Sequence, residues 1–343
     1  MNRQTLKASV IILNYFGEQI IEETIKSIIN LNFPKDKFEL IIVDNNSQDK
    51  SRKIIKEYEK KYSNIKSLFL KKNLGFAGGN NPGIRIAKGE YVILLNNDCI
   101  VDKNWLKELV NLADKNPKIF SISSKLKKYP PTLNLIQNAG SIVFQDGYGR
   151  DIGSIITADR EQFYEKDIGQ FDQEKEVYSS CGAAALYRKS ILKKIGLLDE
   201  NFFMYYEDTE ISERARLCGY LNYYCSKAIV YHYHAKSSSE WSPFFIFHTE
   251  KGRLLHVFYH FPTKIFIKEY FIFLFKSKVR LIKNLLKMQH STKKDWQYIR
   301  ACLSMIRDFP KIQKTRNKYH QLYSQKRIKE NYQKILSGYW YFN

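Results

Sequence analysis

Amide and carboxylate side chains recur directly after the apolar runs of this chain. Asn14-Tyr15 follows the run at 8–13, Asp44-Asn45-Asn46-Ser47 the run at 39–43, and Asn96-Asn97-Asp98 the run at 91–95. A fourth run, 66–70, leads into Asn73 and the glycine-rich stretch from Gly75 to Gly83 that includes Asn81. A single Asn or Asp in such a place usually makes a turn or caps a helix. Four groups at one edge suit a different role, because amides and a carboxylate match the polar atoms of a nucleobase, a ribose and a phosphate. The glycine stretch has neither GxGxxG nor GxxxxGK[ST] spacing, which excludes a dinucleotide fingerprint and a P-loop. Farther along, Glu207-Asp208 stands ahead of a helical pattern that ends at Gly219, and Tyr231-His232-Tyr233-His234 closes another apolar run.

The elements that must position these groups can be read from periodicity. The runs at 8–13, 39–43, 66–70 and 91–95 are short, rich in β-branched residues and not alternating. Between them, Ile21, Ile25, Ile28 and Ile29 share one helical face of 18–30. Ile54, Ile55, Tyr58 and Tyr62 share a face of the next helix, with Ser47 placed to cap it. A further helix is expected at 105–116, entered through Asp102. Strands that alternate with helices predict an α/β fold, Rossmann-like, with a mostly parallel sheet covered on both faces. Ligands then bind beyond the carboxyl ends of the strands.

The chain has 343 residues, 44% hydrophobic and 15% aromatic, which excludes disorder as its main state. Its five cysteines (Cys99, Cys181, Cys218, Cys225, Cys302) form no CxxC pair, so neither a disulfide scaffold nor structural zinc is expected. No run is long and uncharged enough to span a membrane, and the first apolar run reads as a strand rather than a signal peptide. The expected place is the cytoplasm. The net charge of +21 is uneven: from Lys236 onward, 22 Lys and Arg face 6 Asp and Glu. The Ser237–Pro243 region marks the seam, giving a catalytic domain at 1–240 and a basic, aromatic-rich helical region at 241–343.

The runs SVIILNY, ELIIVDNNSQDKS and NLGFAGGNNPGIRIAKGEYVILLNNDCIV together resemble family 2 glycosyltransferases with the GT-A fold. The likeness is greatest to the branch that includes bacterial rhamnosyltransferases of cell-surface polysaccharide assembly. It continues through SSCGAAALYRKSILKKIGLLDENFFMYYEDTEISERARLCGY and AIVYHYHAKSSS, covering about 8–240. The resemblance implies an activity, a cofactor and a role for each motif. The implied activity is inverting transfer of a sugar, best guessed as rhamnose from dTDP-rhamnose and otherwise from a UDP-sugar, onto a saccharide or lipid-linked saccharide. By the same likeness, Asp44 and Asn45 contact the pyrimidine and ribose, with Asn14 and Tyr15 opposite. Asn73, Gly75 and Asn81 line a loop beside the donor, although Gly75 equally suits a turn that needs φ > 0. The family's DxD motif aligns with Asn96-Asn97-Asp98, where Asn96 replaces the first Asp. Asp98 is the expected ligand of a divalent metal, Mg or Mn, with His232 as the second ligand and His234 as its fallback; Asn97 sits beside the donor. Asp208 is the expected base, with Glu207 as positioning residue or understudy. Cys181, in the segment that lines the acceptor side, carries little weight as a nucleophile.

Two rival readings remain at this level. Asn96 in place of Asp leaves open a binding protein that has lost catalysis. The charge leaves open a nucleic-acid-binding protein, but the basic residues cluster away from the site motifs and no nucleic-acid motif is present. The segment 276–288 spaces Val279, Ile282, Leu285 and Leu286 along one helical stripe among lysines, and the apolar runs at 244–247, 254–261 and 265–275 precede it. A basic amphipathic helix of this kind predicts docking on an anionic membrane surface, peripheral on the inner face of the cell membrane.

Overall fold

The computed structural model describes residues 6–156, 162–233, 241–286 and 292–342. The first half-sheet is parallel. β1 (Ala8–Asn14) pairs with both β2 (Phe38–Asp44) and β4 (Tyr91–Asn96), and β3 (Ile65–Phe69) extends β2. Crossovers run through α1 (Ile21–Ile29), α2 (Ser51–Lys61) and α3 (Gly75–Ile86). Val10, Ile12, Leu40 and Ile42 pack on the core shared with α1 and α2, while Ile11, Ile41 and Val43 pack on the core shared with α3. Both faces of each strand are therefore covered, which explains the non-alternating sequence.

The glycine-rich stretch is a helix rather than the expected loop. A Cβ at Gly79 would sit 2.6 Å from Leu13, and one at Gly83 would sit 2.9 Å from Ile11. The glycines let α3 lie close on the sheet, and that packing overrides their poor helix propensity. Ser47 caps no helix: α2 starts at Ser51 with no side-chain cap. The first helix begins at Ile21, three residues later than its pattern suggested.

After β4 come β5 (Cys99–Val101), α4 (Trp105–Lys115) and β6 (Ile119–Lys128). Asp102, expected to cap this helix, instead accepts the Asn104 N–H at 2.8 Å in the turn before it, and α4 starts with no side-chain cap. Short strands follow: β7 (Leu135–Asn138), β8 (Ser141–Val143), β9 (Gly149–Asp151), β10 (Ser154–Ile156), β11 (Gln162–Lys166) and β12 (Lys175–Glu176). Then come β13 (Ala184–Arg188), α5 (Lys189–Ile195), α6 (Glu207–Leu217) and β14 (Leu221–His232). The sheet runs β10-β11-β7-β6-β13-β4-β1-β2-β3, with β13 antiparallel to both β4 and β6. β14 lies parallel to β6 and antiparallel to β5.

The basic region is helical: α7 (Pro243–His260), α8 (Thr263–Leu286), α9 (Thr292–Arg307), α10 (Phe309–Tyr319), α11 (Gln325–Leu336) and α12 (Tyr339–Phe342). Ser242 caps α7 by accepting the Phe245 N–H, and Pro243 follows at the first helical position. The apolar run at 254–261, read from sequence as part of a membrane surface, is internal. Leu254, Leu255, Phe258 and Tyr259 pack with Phe202 and Leu217, and Val257 and Phe261 pack with Val143 and Tyr178. Buried charge ties these helices to α6. Glu210 pairs with Arg214 at 2.7 Å and lies 3.1 Å from His260 Nε2, while Glu213 lies 2.8 Å from His256 Nε2. Among the described residues, no helix is long and apolar enough to cross a membrane.

Candidate active site

Register gathers the strand ends. Asn14 stands opposite Asp44, and Leu13 opposite Asn96, so the ends of β1, β2 and β4 share one edge. Asn14 is fully buried there. Its Nδ2 donates to Asp44 Oδ2 at 2.9 Å and to Ser51 Oγ at 2.9 Å, and its Oδ1 accepts from Asn97 Nδ2 at 3.1 Å. The other Asp44 oxygen accepts from Ser47 N at 3.0 Å and from Arg52 Nε at 2.6 Å. Asn14 therefore orients Asp44 and Asn97; Ser47, read from sequence as a helix cap, joins the same network, and so do Ser51 and Arg52, which had not stood out in sequence.

Asn45 and Asn73 brace the turn into α3. Asn45 Nδ2 donates to Asn73 Oδ1 at 2.9 Å, Asn45 Oδ1 accepts the Leu74 N–H, and Asn73 Oδ1 also accepts the Gly75 N–H. Gly75 has φ +71, and a Cβ there would meet the Phe203 carbonyl oxygen at 2.0 Å, so the turn requirement is real. Asn81 donates to Leu198 O and Glu200 Oε1, which ties α3 to the segment after α5. Tyr15, 38% exposed, stands edge-on to exposed Phe16 with ring centroids 4.6 Å apart.

Asp98, Cys99 and His232 are buried, and their ligand atoms all lie within 4.8 Å of one another. His232 Nε2 is 3.0 Å from Asp98 Oδ1, and Nδ1 is 3.0 Å from Gln137 Oε1. With Nδ1–H donating to Gln137, Nε2 keeps its lone pair toward Asp98, the tautomer a metal ligand needs. A carboxylate and an imidazole so placed fit a divalent cation. Gln137 comes from β7, the strand paired with β6, where no sequence signal marked it. His234 lies outside the described residues.

Glu207 and Asp208 open α6. Asp208 Oδ2 accepts the Gly182 N–H at 2.8 Å and Oδ1 accepts the Thr209 N–H at 2.7 Å. Burial pushes the Asp208 carboxyl up, with those hydrogen bonds pulling the other way. Asp208 keeps partial exposure, whereas Glu207 is buried and its Oε2 has no hydrogen-bond partner among the described residues. Burial, reinforced by Asp208 beside it, holds the Glu207 carboxyl well above the usual range. Asp208, the less buried of the two, is the one better placed to meet a substrate. Tyr205 and Tyr206, both at φ 69, form a strained approach to this pair. Tyr206 is pinned by accepting the Gly149 N–H at 3.0 Å and donating to Gly147 O at 3.2 Å. Gly182 and Ala183 link the two halves of the site. Next to the Gly182 amide on Asp208, the Ala183 carbonyl accepts the Asn96 N–H at 2.9 Å and lies 3.7 Å from Cys99 Sγ. Cys181 is a poor nucleophile, since burial pushes its thiol well above the ordinary value.

The glycosyl transferase family 2 model matches residues 9–196, more than half of the chain. The chain belongs to glycosyl transferase family 2. Among curated relatives, this family 2 chain is 34% identical over 123 residues to the poly(ribitol-phosphate) beta-glucosyltransferase of Bacillus spizizenii, a match covering 36% of this chain and 19% of that one. The chain spans at most about half the length of the curated relatives it matches. Solved structures share its GT-A fold. Staphylococcus aureus TarS 1–349 matches with TM-score 0.51 and 21% identity, over 97% of this chain and 91% of that one. The mannosyltransferase PcManGT of Pyrobaculum calidifontis, solved with GDP-Man and Mn2+, matches with TM-score 0.53 and 13% identity, over 87% and 86%.

Proposed function

We propose that this family 2 chain transfers a sugar, with inversion, from a nucleotide-sugar donor onto a saccharide or lipid-linked saccharide during cell-surface polymer synthesis. The observation that carries the reading is the Gly182–Asp208 hydrogen bond of 2.8 Å, which ties the carboxylate to a segment whose next residue, Ala183, accepts the Asn96 N–H and lies 3.7 Å from Cys99 Sγ, beside Asp98. Asp208 takes the proton of the acceptor hydroxyl as its oxygen attacks the anomeric carbon from the face opposite the nucleotide. The bond from that carbon to the phosphate oxygen breaks, and the nucleoside diphosphate leaves. Asp98 and His232 would hold a divalent cation, Mg or Mn, which supplies neutralisation of charge on the diphosphate. Burial disfavours the charged form of Glu207, which limits a second charge next to the base.

A pyrimidine nucleotide at the end of β2 is what the family likeness implies; there Asp44 and Asn45 hold the surrounding turns through protein partners and Tyr15 is exposed for stacking. The first donor to test is dTDP-rhamnose, then UDP-sugars. Relatives named for poly(ribitol phosphate) support a cell-surface acceptor. The test is a thermal-shift screen of dTDP- and UDP-sugars with and without manganese. A true donor at 100 times its Kd stabilises by about 2.7 kcal/mol. A manganese-dependent shift with one of them supports the reading; no shift with any pyrimidine sugar contradicts it.

The same reading includes docking on an anionic membrane. Ile267, Phe271 (63% exposed), Phe275 (68%), Ile282 and Leu286 (81%) line one face of α8. Lys264, Lys268 and Lys278 are interspersed along that face, and Lys276, Arg280 and Lys283 lie around it. Bulky apolar groups beside cations suit an interface of anionic lipid, worth about 1 kcal/mol per basic residue near the surface. Lys287 and Met288, which extended the stripe in sequence, lie outside the described residues. Flotation with phosphatidylglycerol vesicles tests this. Phe271→Glu with Phe275→Glu should abolish binding, and a full chain that ignores such vesicles at low salt contradicts it.

A further inference from the structure

Cys99 has a placement that neither the donor site nor the base requires. It is fully buried at the start of β5, next in sequence to Asp98 and opposite His232 in the antiparallel pairing with β14. Directly opposed residues of an antiparallel pair present their side chains on the same face of the sheet. The three ligand atoms accordingly cluster within 4.8 Å. The Cys99 Sγ has a weak contact of 3.7 Å with the Ala183 carbonyl, and the core around it includes Val101 and Trp105. A sulfur beside a carboxylate and an imidazole is an arrangement with its own metal chemistry.

We infer that Cys99 is a third protein ligand at the Asp98–His232 site, giving it a carboxylate, imidazole and sulfur donor set that takes thiophilic divalent cations such as Co2+, Zn2+ or Cd2+. The inference rests on the reading that Asp98 and His232 hold a cation. Hard oxygen ligands suit Mg2+ and Mn2+, whereas sulfur shifts a site toward softer ions. Coordination replaces the S–H bond by a sulfur–metal bond, and the thiol proton passes to solvent. Ala183, whose carbonyl lies 3.7 Å from Cys99 Sγ, follows Gly182, whose amide orients Asp208.

Cobalt supplies a readout independent of turnover. The full-length protein is titrated with Co2+ in the presence of UDP, and the near-ultraviolet sulfur-to-cobalt charge-transfer band is followed. The wild type should show the band, Cys99→Ser and Cys99→Ala should lack it, and Cys181→Ser should keep it. In parallel, Cys99→Ser should weaken Cd2+ by at least the roughly 10–100-fold that loss of an outer-shell partner costs, while Mn2+ binding, followed by electron paramagnetic resonance, changes little. Circular dichroism confirms that the variants fold. If Mn2+ binds but no band forms, or the band survives in Cys99→Ser, Cys99 is not a ligand and the Asp98–His232 reading stands. If neither Mn2+ nor Co2+ binds, both fall.

Discussion

His232 Nε2 lies 3.0 Å from Asp98 Oδ1, joining the last residue of β14 to the turn after β4 across 134 residues of chain. The contact exists because β14 pairs with β5, so the end of a late strand is delivered to the mouth of an early one. Removing either side chain should disable the diphosphate side of the reaction. Asp98→Asn and His232→Ala are each expected to lower turnover by about 10²–10³, the range for one lost electrostatic stabiliser. Gln137→Ala should weaken metal binding by about 10–100-fold. Manganese titrations of activity distinguish the two, since Gln137→Ala is recovered by excess metal.

The pH dependence of turnover should have an acid limb set by Asp208. Only the ionised carboxyl can take a proton, and burial raises its pKa above the ordinary value near 4. Activity should therefore fall as pH drops through a midpoint displaced upward from that value. An acid limb at or below the ordinary carboxylate range would place the base elsewhere.

Glu207 gives a stability prediction of definite sign. Its folded pKa is raised, so the fold favours the protonated form, and this contribution is complete below the unfolded value and lost as pH rises. Glu207→Gln removes the cost of ionisation. Its melting temperature should gain on wild type as pH increases from 4 to 8. A gap that shrinks or reverses with rising pH would show a folded pKa below the unfolded one.

Gly17 guards the β1 edge. A Cβ there would stand 2.1 Å from Asn14 Oδ1 and 2.7 Å from Asn97 Nδ2. Gly17→Ala should break their hydrogen bond and cost about 1–3 kcal/mol, the penalty for a buried polar group left without its partner. Urea unfolding measures it, and an unchanged midpoint would mean that the loop moves aside freely.

Arg214 tests the tie between α6 and the basic region. It donates to both oxygens of Glu210, at 3.0 and 2.7 Å, in a buried site shared with His260. Arg214→Met should destabilise by about 3–5 kcal/mol, because a buried carboxylate loses its partner. The vesicle test relies on substitutions within α8 for a related reason. Tyr319, Tyr323 and Ile328, all downstream of α8, belong to the core that holds α6, so truncation near Phe261 would unfold the catalytic side.

The strands and the edge they share were legible because apolar runs buried on both faces leave a plain trace. The position of α3 was not, since its glycines answer to the sheet surface at Leu13 and Ile11 rather than to local propensity. Asp98, His232 and Asp208 stood out by residue type. Asn14, Asn45, Asn73 and Asn81 also stood out, but the structure commits their amides to protein partners. Gln137 and Arg52 were silent because their roles come from long-range pairing, which no window of sequence contains; Gly182 was read only as part of the small-residue segment on the acceptor side, without its hydrogen bond to Asp208. Along α7, apolar residues beside basic ones suggested a lipid surface; their actual partners, in α6 and α10, lie far away in the chain.

The central claim, that Asp208 is the base of a glycosyl transfer, is tested most directly by measuring donor affinity and turnover together in wild type and Asp208→Asn, using the pyrimidine sugar found by thermal shift. The substitution should leave the donor Kd within a few-fold while turnover falls by about 10²–10⁴. Equal turnover, or a loss accounted for by weaker donor binding, would contradict it.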